Sequence, residues 1–388
     1  MNTIYLMHST TVPLDPRVRE AMLPLLEEDP RRPEGLLASG RRPRGIIEQA
    51  REAVARLCGG RAEEIVFTSS GTEACNLALK GVALARAVQA GPGGRILVAA
   101  TEHTAVLHPA RTLGKLGFEI VVIPVDHEGL IDLDALEEAL ADGALIVSAA
   151  LATAETGTTQ PIAAIAALAH ERGALLHTDA CLAAAGLPLD VTAIDVDLAS
   201  LSAHKLGGPR GAGALWIRDG VRLLPLIEGG VAEGGRRGGA EHVAGIAGFG
   251  AAAEFQVREL PVEAGRLGPL AARLAGRLAR VSGVRLNGHP IKRLPGMVNI
   301  SVDGVDGEAL LLKLAARGIA ASSGSPCFDE AGLPSHVLTA MGIPSDGARG
   351  SVLFSLGRLT NDEEIDRVIE TFPEVVESLR SIAVNPGA

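Results

Sequence analysis

The chain has 388 residues, 47% of them hydrophobic, and its 36 basic and 46 acidic side chains give a formal charge of −10. This length exceeds the usual size of one hydrophobic core, so two domains are expected, and the acidic balance argues against a nucleic-acid surface. No run of about 20 apolar residues and no charged-then-apolar N-terminus occurs, which predicts a cytoplasmic protein without a membrane span. The four cysteines form no Cys-x-x-Cys pair, so no metal site or disulfide framework is expected.

Short apolar runs alternate with helical patterns between roughly residues 60 and 220. The runs that predict strands are EEIVFT, RILVAA, FEIVVIPV, ALIVSAAL, ALLHTDA, DLASLS and GALWIR. Between them, TEACNLALKGVALARAVQA and IAAIAALAHERG have apolar residues at helical spacing. This alternation predicts an α/β fold with a mostly parallel central sheet. After a Gly-rich segment and a further helical stretch, we predict a division into a large domain (15–254) and a smaller α+β domain (1–14 with 255–388).

Polar residues follow several predicted strands, at the edge where open α/β sheets bind ligands. TSSGTEACN turns from a strand into a helix, so the N–H groups of Gly71 and Thr72 suit a phosphate, although this turn is also typical of an ordinary helix cap. His103 ends a second strand and Asp179 a third, and each residue alone is as readily structural. A fourth strand ends in Ser202, His204 and Lys205.

Lys205 is one of only five lysines, and it follows what reads as a buried strand. Burial removes water from an ammonium group and lowers its pKa. The residue is therefore either a lysine whose tip reaches the domain surface or an amine kept neutral enough to attack a carbonyl.

One ligand, pyridoxal 5′-phosphate (PLP), accounts for all these strand-end residues together. Its phosphate needs an anion site, its ring a stacking partner, its ring nitrogen a carboxylate, and its carbonyl an amine. These four roles fall to Gly71, Thr72, Ser202 and His204 for the phosphate, His103 for the ring, Asp179 for the nitrogen and Lys205 for the carbonyl.

The order Thr-Ser-Ser-Gly-Thr, His, Asp, Ser-x-His-Lys resembles the fold-type I PLP enzymes and, more narrowly, the cysteine desulfurases of the class V aminotransferase family. The similarity extends from IYLMHSTTVPLDPRV to FSLGRLTNDEEID, nearly the whole chain. It implies a homodimer with active sites at the subunit interface and a sulfur-acceptor protein as a partner. It also implies that Lys205 bonds the cofactor and moves the substrate α-proton, while His103 serves as an acid or base.

The most specific segment of the resemblance is SSGSPC, which places Cys327 where the family carries its persulfide-forming cysteine. In the family's reaction a thiolate at this position attacks the substrate sulfur, keeps it as a persulfide and releases alanine. The alternative is that Cys327 is a half-buried thiol without a role. Cys181, beside Asp179, is expected to serve packing.

Several positions depart from the family on the substrate side. Leu353 stands where the family has an arginine that binds the substrate carboxylate, and leucine cannot replace a bidentate Arg–carboxylate pair. Ala154 and Leu182 replace the Asn and Gln that donate to the cofactor's phenolic oxygen. Further departures are Met7 for an aspartate, Ala240 for a phosphate-binding threonine, and RRPEGLL for an Asn-Pro-Ser segment.

Three interpretations follow from this pattern. The chain is a divergent desulfurase that binds the carboxylate through Arg236, Arg237 or Arg358, a PLP-dependent carbon–sulfur lyase acting on a modified substrate, or a weakly active scaffold homologue. Retention of Lys205 and Asp179 weighs against the scaffold, and retention of Cys327 favours the desulfurase over the lyase. The sequence thus predicts a PLP enzyme that takes sulfur from L-cysteine or a cysteine derivative.

Overall fold

The structure is a computed structural model that describes residues 3–27, 38–323 and 334–384. Within these ranges the strands are β1 (Ile4–Tyr5), β2 (Ile65–Thr68), β3 (Arg95–Ala99), β4 (Glu119–Ile123), β5 (Ile146–Ser148), β6 (Leu175–Asp179), β7 (Leu198–Ser202), β8 (Gly213–Ile217), β9 (Val284–Asn287), β10 (Met297–Val302), β11 (Ile319–Ala320) and β12 (Ser351–Ser355). The helices are α1 (Pro16–Glu27), α2 (Ala38–Cys58), α3 (Gly71–Ala90), α4 (Thr104–Lys115), α5 (Leu133–Ala141), α6 (Ile162–Glu171), α7 (Val243–Leu278), α8 (Gly307–Ala316), α9 (His336–Ala340), α10 (Ser345–Arg349) and α11 (Asp362–Val384).

The seven strands predicted from the apolar runs form one sheet in the order β2-β8-β7-β6-β5-β3-β4. β8 pairs antiparallel with both of its neighbours, and the remaining pairs are parallel. The predicted mostly parallel sheet is therefore confirmed. Every residue of β2, β5, β7 and β8 is buried, as is typical of strands covered by helices on both faces.

Alternate side chains of this sheet enter two different hydrophobic cores. Phe67 on β2 packs in the core that also holds Phe249 of α7, whereas its neighbour Val66 packs in the core beneath α3 and α4. This alternation follows from the two-residue period of a strand.

Several helices begin at side chains that cap their first turn. Asp132 Oδ1 accepts from the Ala135 N–H at 3.0 Å before α5, and Asp306 Oδ1 accepts from the Ala309 N–H at 2.9 Å before α8. Such caps satisfy backbone N–H groups that have no partner inside the helix.

A second region is built on the antiparallel sheet β12-β10-β9 and on the parallel pair β1-β11. Its separate hydrophobic core includes Phe354 and Phe372. Helix α7 joins the two regions, because Phe249 packs in the first core and Leu274 in the second. The predicted domain boundary between residues 254 and 255 falls inside this helix, and the division into two domains stays a prediction. Every helix within the described ranges is too short or too polar to cross a lipid bilayer.

Candidate active site

The carboxyl ends of four strands bring polar residues to one edge of the central sheet. Asp179 and Ser202 are the last residues of β6 and β7, His103 follows β3, and Gly71 begins α3 after β2. Strands β2, β3, β6 and β7 run in the same direction, so these ends lie together, as at the ligand sites of open α/β sheets.

The N-terminus of α3 forms one wall of this edge. Ser70 caps the helix, its Oγ accepting from the Glu73 N–H at 3.1 Å. The first helical N–H groups, at Gly71 and Thr72, lack partners within a helix, and the helix dipole there favours an anion. A Cβ at position 71 would collide with Cys181 Sγ, so only glycine fits this close approach.

Ser202 and His204 face the same helix end. Ser202 Oγ lies 2.7 Å from His204 Nδ1, and Ser202 Cβ would be 3.3 Å from a Cβ at Gly71. Burial, with the neighbouring Lys205 and Arg210, lowers the pKa of His204 to about 4. The imidazole is therefore neutral at neutral pH, with one donor and one acceptor nitrogen.

Lys205 reaches the segment that follows β1. Its Nζ donates to the carbonyl oxygens of Ser9 and of Thr10, the latter at 2.9 Å. Burial lowers the pKa of Lys205, while Cys181 and Asp179 oppose this shift. A lowered pKa increases the neutral, nucleophilic fraction of the amine.

His103 and Asp179 complete the edge. His103 Nδ1 accepts from the Ala105 N–H at 3.0 Å, so a neutral ring carries its proton on Nε2. Burial lowers the pKa of His103, and the nearby Asp179 opposes this shift. Asp179 Oδ1 accepts from the Cys181 N–H at 2.9 Å, which fixes the carboxyl against the start of the next loop.

This donor set suits a ligand with a phosphate, an aromatic ring nitrogen and a carbonyl. The helix end, Ser202 and His204 supply anion donors, Asp179 supplies a carboxyl group, and Lys205 supplies an amine of lowered pKa. These are the groups that PLP requires. At the anion end of the site, Cys181 Sγ packs against Gly71, so there is no room for a longer side chain at position 71.

Leu353, at the position predicted to face the substrate, has apolar surroundings. This residue is 1% exposed and packs in the same core as Leu294 and Met297. Its backbone N–H donates to the Ser322 carbonyl at 2.7 Å. Position 353, where the family resemblance predicts an arginine, therefore lies against the segment that precedes Cys327.

The three arginines considered as replacements already have partners. Arg237 Nε donates to Glu73 at 3.0 Å, and an Arg236 guanidinium nitrogen donates to the Glu63 carbonyl at 3.0 Å. Arg358 forms ion pairs of 2.8 Å with Asp15 and with Glu259. A substrate carboxylate at any of them would share the guanidinium with these partners.

A cavity of about 400 Å³ opens beside Lys205. Arg358 and Arg17 line it with the two carboxylates that they share, those of Asp15 and Glu259. Apolar side chains line much of the remainder: Leu182, Leu206, Leu294, Met297 and Leu356. The cavity beside the lysine thus combines an apolar surface with a charge-balanced group of two arginines and two carboxylates.

Cys327 and RRPEGLL lie outside the described residues. The described chain after Cys327 returns to the site, because His336 Nε2 lies 3.0 Å from the Glu102 carbonyl oxygen, one residue before His103. Ser335 Oγ donates to the buried carboxyl of Glu155. The chain that follows the SSGSPC segment is therefore held next to the residue before His103 and to Glu155.

Sequence reasoning missed a set of buried polar side chains beneath the site. Each is 0% exposed: Glu102, Ser148, His177 and Ser200. Their signal in the sequence was a polar residue within or directly after an apolar strand run, as in ALIVSAAL and ALLHTDA. Their alignment depends on the strand order, which the sequence does not give.

Comparison with known proteins agrees with this fold and site. The profile of the aminotransferase class-V family matches residues 4–368. Cysteine desulfurase IscS 1 of Archaeoglobus fulgidus is 42% identical over 379 residues, 98% of each chain. A solved NifS-like protein from Rickettsia africae has a TM-score of 0.87 at 31% identity over 97% of this chain and 100% of its own. The solved structure of SspA in complex with cysteine has a TM-score of 0.80 at 31% identity, over 91% of this chain and 99% of its own.

Sheet and site define an α/β enzyme of the PLP-dependent fold-type I class, as the sequence predicted. The chain belongs to the aminotransferase class-V family, and the curated relatives it matches over nearly its full length are cysteine desulfurases. The family resemblance and the PLP cofactor are thereby confirmed.

Proposed function

We propose that this chain is a cysteine desulfurase that moves the sulfur of L-cysteine, or of a cysteine derivative, onto Cys327 and releases alanine. The observation that carries the proposal is the sheet edge where Lys205, Asp179 and His103 meet, in a chain similar to cysteine desulfurases along its length. The solved relative SspA, described in complex with cysteine, supports the substrate class.

PLP, when bound, provides an electron sink for the pair released at the substrate α-carbon. In this proposal Asp179 pairs with the ring nitrogen, His103 lies on the ring face and Lys205 bonds the carbonyl carbon. The phosphate falls to the anion end of the site: Gly71, Thr72, Ser202 and His204.

Lys205 is suited to move the proton at the substrate α-carbon. Its lowered pKa increases the fraction of neutral amine that can accept a proton, and its present partners are two backbone carbonyls of the N-terminal segment. His103, neutral with its proton on Nε2, would be able to donate or take back a proton beside the cofactor.

The sulfur step belongs to Cys327. Its thiolate sulfur attacks the substrate sulfur, forming an S–S bond while the substrate Cβ–S bond breaks. The electron pair stays with the carbon fragment, which takes up a proton and leaves as alanine. The cysteine sulfur is thereby oxidised to a persulfide, and an acceptor protein removes the terminal sulfur. We also propose that the enzyme is a homodimer and that it acts in the cytoplasm.

A second candidate is a PLP-dependent carbon–sulfur lyase acting on a modified substrate. It is favoured by the apolar surroundings of Leu353 and by the largely apolar cavity beside Lys205. A substrate whose carboxylate is masked would not need the missing arginine.

The deciding experiment incubates the PLP-loaded protein with L-cysteine and with carboxylate-masked analogues, then measures alanine, sulfide and pyruvate. Alanine formation that is abolished in Cys327→Ser, with the cofactor spectrum unchanged, supports the desulfurase. Cys58→Ala is the matched control, since Cys58 is buried in the core of the central sheet. Pyruvate as the carbon product identifies the lyase, and the absence of both products contradicts an active enzyme.

A further inference from the structure

A continuous row of hydrogen-bonded side chains crosses the central sheet beneath the site. Ser148 Oγ donates to Glu102 Oε1 at 2.9 Å and also lies 2.9 Å from His177 Nδ1. His177 Nε2 lies 2.9 Å from Ser200 Oγ. The four residues stand on or just after β3, β5, β6 and β7, which are successive strands of the sheet.

The row passes beside the proposed ring-nitrogen partner at its third member. His177 and Asp179 are two residues apart on β6, so their side chains share one face of the sheet. The row therefore runs from Glu102, next to His103, across β6 beside Asp179 to Ser200.

Which side chain donates each hydrogen bond in the row depends on which atoms carry the protons. Burial and the nearby Asp179 raise the pKa of Glu102 to about 8, so Glu102 holds a proton at neutral pH. Because Oε1 accepts from Ser148, this proton lies on Oε2, which has no protein partner among the described residues. Burial lowers the pKa of His177 to about 4, so its ring is neutral. Its Nδ1–H then donates to Ser148, and its Nε2 accepts from Ser200.

We propose that this row is a positioning relay, in which Glu102 holds the proton and Ser148, His177 and Ser200 fix strand β6, and with it the Asp179 carboxyl, for the cofactor ring nitrogen. The inference rests on the proposed function, since it requires Asp179 to face that nitrogen. The inner members touch neither cofactor nor substrate, so they are positioning residues. The buried hydrogen bonds of Ser148, His177 and Ser200 hold these side chains in one arrangement.

The titratable groups around the two ends come from several elements. They are His177 and Asp179 on β6, Cys75 on α3, His103 at the start of α4, His336 on α9, and Cys181 and Lys205 beside Asp179. Changes confined to the inner serines leave all these groups in place.

The test measures the absorbance of bound PLP against pH in the holoenzyme. Ser148→Ala cuts the row between Glu102 and His177, and we expect the titration midpoint to shift by about half a pH unit or more. Ser148→Thr keeps a hydroxyl and should restore the midpoint. Glu155→Gln is the matched control, because Glu155 is a buried carboxyl bonded to Ser335 outside the row.

The row and the site assignment can fail separately. If Asp179→Asn moves the midpoint and Ser148→Ala does not, the relay is wrong while the proposed site stands. If Asp179→Asn leaves the cofactor absorbance unchanged, the assignment of Asp179 in the proposed function is wrong. Should Ser148→Ala not fold, Ser200→Ala cuts the next link and is judged by the same criterion.

A second readout needs no cofactor. Nitrogen NMR of the histidine rings in isotope-labelled apoprotein, with His177→Gln to assign the signals, reports the His177 tautomer directly. We expect a single neutral tautomer protonated at Nδ1 that is lost in Ser148→Ala. A His177 ring protonated at Nε2 in the wild-type protein would overturn the proposed direction of the relay.

Discussion

The cofactor edge and the substrate side of this molecule lie next to each other yet differ in chemistry. At the cofactor edge, polar groups are buried, paired and supported by a further polar layer beneath them. On the proposed substrate side, Leu353 is packed among leucine and methionine, and Arg358 shares the carboxylates of Asp15 and Glu259 with Arg17. Under the proposed function, this contrast predicts that the chain binds PLP as its family does and recognises the amino acid differently.

The largest effect should come from removing the amine at the cofactor edge. Lys205→Ala should reduce turnover by at least about 10²–10⁴-fold, because the substrate α-proton loses its base. The control is Lys292→Ala, at an exposed lysine. Steady-state alanine or pyruvate formation provides the measurement, and turnover that survives in Lys205→Ala would remove this residue from the chemistry.

The cofactor edge should also respond to acid through its buried histidines. His177 has a pKa of about 4 in the folded protein against an ordinary value of 6.5, because it is buried. The unfolded chain therefore binds more protons between these values, so this contribution to stability is complete above about pH 6.5 and is lost as pH falls toward 4. The change amounts to roughly 3 kcal/mol.

Denaturant unfolding of the apoprotein across this pH window tests the point. The slope of unfolding free energy against pH should be flatter in His177→Gln than in wild type. His127→Gln, at an exposed histidine, should keep the wild-type slope. Equal slopes in all three proteins would show that His177 does not titrate as its burial implies.

A third prediction concerns the proposed substrate side, where an arginine is introduced at position 353. Leu353→Arg should lower the Michaelis constant for L-cysteine about ten- to a hundredfold if the pocket has simply lost its carboxylate partner, since a charge-assisted bond contributes roughly 1.5 to 3 kcal/mol. Leu353→Met is the uncharged control. A Michaelis constant that rises in Leu353→Arg would indicate that another arginine already binds the carboxylate.

The smallest effect concerns the cofactor's phenolic oxygen. Ala154→Asn with Leu182→Gln should slow PLP loss on dialysis, because each restored hydrogen bond contributes on the order of 1 kcal/mol. Leu182 lines the cavity beside Lys205, so the amide has room to reach the site. Ala154→Leu with Leu182→Met serves as an apolar control, and equal loss rates in the two double variants would refute the explanation.

The sequence predicted the central sheet well because each strand is a short apolar run whose signal is local. It predicted a helical stretch after the Gly-rich segment but did not locate its start at Val243, where glycines at positions 245, 248 and 250 interrupt the apolar pattern. Those glycines lie in the helix where it meets its neighbours, since a Cβ at Gly250 would be 2.6 Å from Ala50 Cα and one at Gly248 would be 2.6 Å from Met22 Sδ. Close packing of helices is a tertiary property that no local pattern reveals.

The sequence indicated the candidate residues at the strand ends but not the buried polar side chains beneath them. Asp179 and Lys205 are polar residues at or just after the ends of apolar runs, so the sequence alone can reveal them. The contacts of Ser148 and His177 depend on β5 and β6 being neighbours, which only the sheet order determines. The partners of Arg358, which come from Asp15 and Glu259, are likewise distant in sequence.

The measurement that bears most directly on the retained cofactor edge is borohydride reduction of the PLP-loaded protein, followed by peptide mapping. The account predicts a pyridoxyl group on the peptide that contains Lys205. A label on Lys80, Lys115, Lys292 or Lys313, or no label on any lysine, would contradict it.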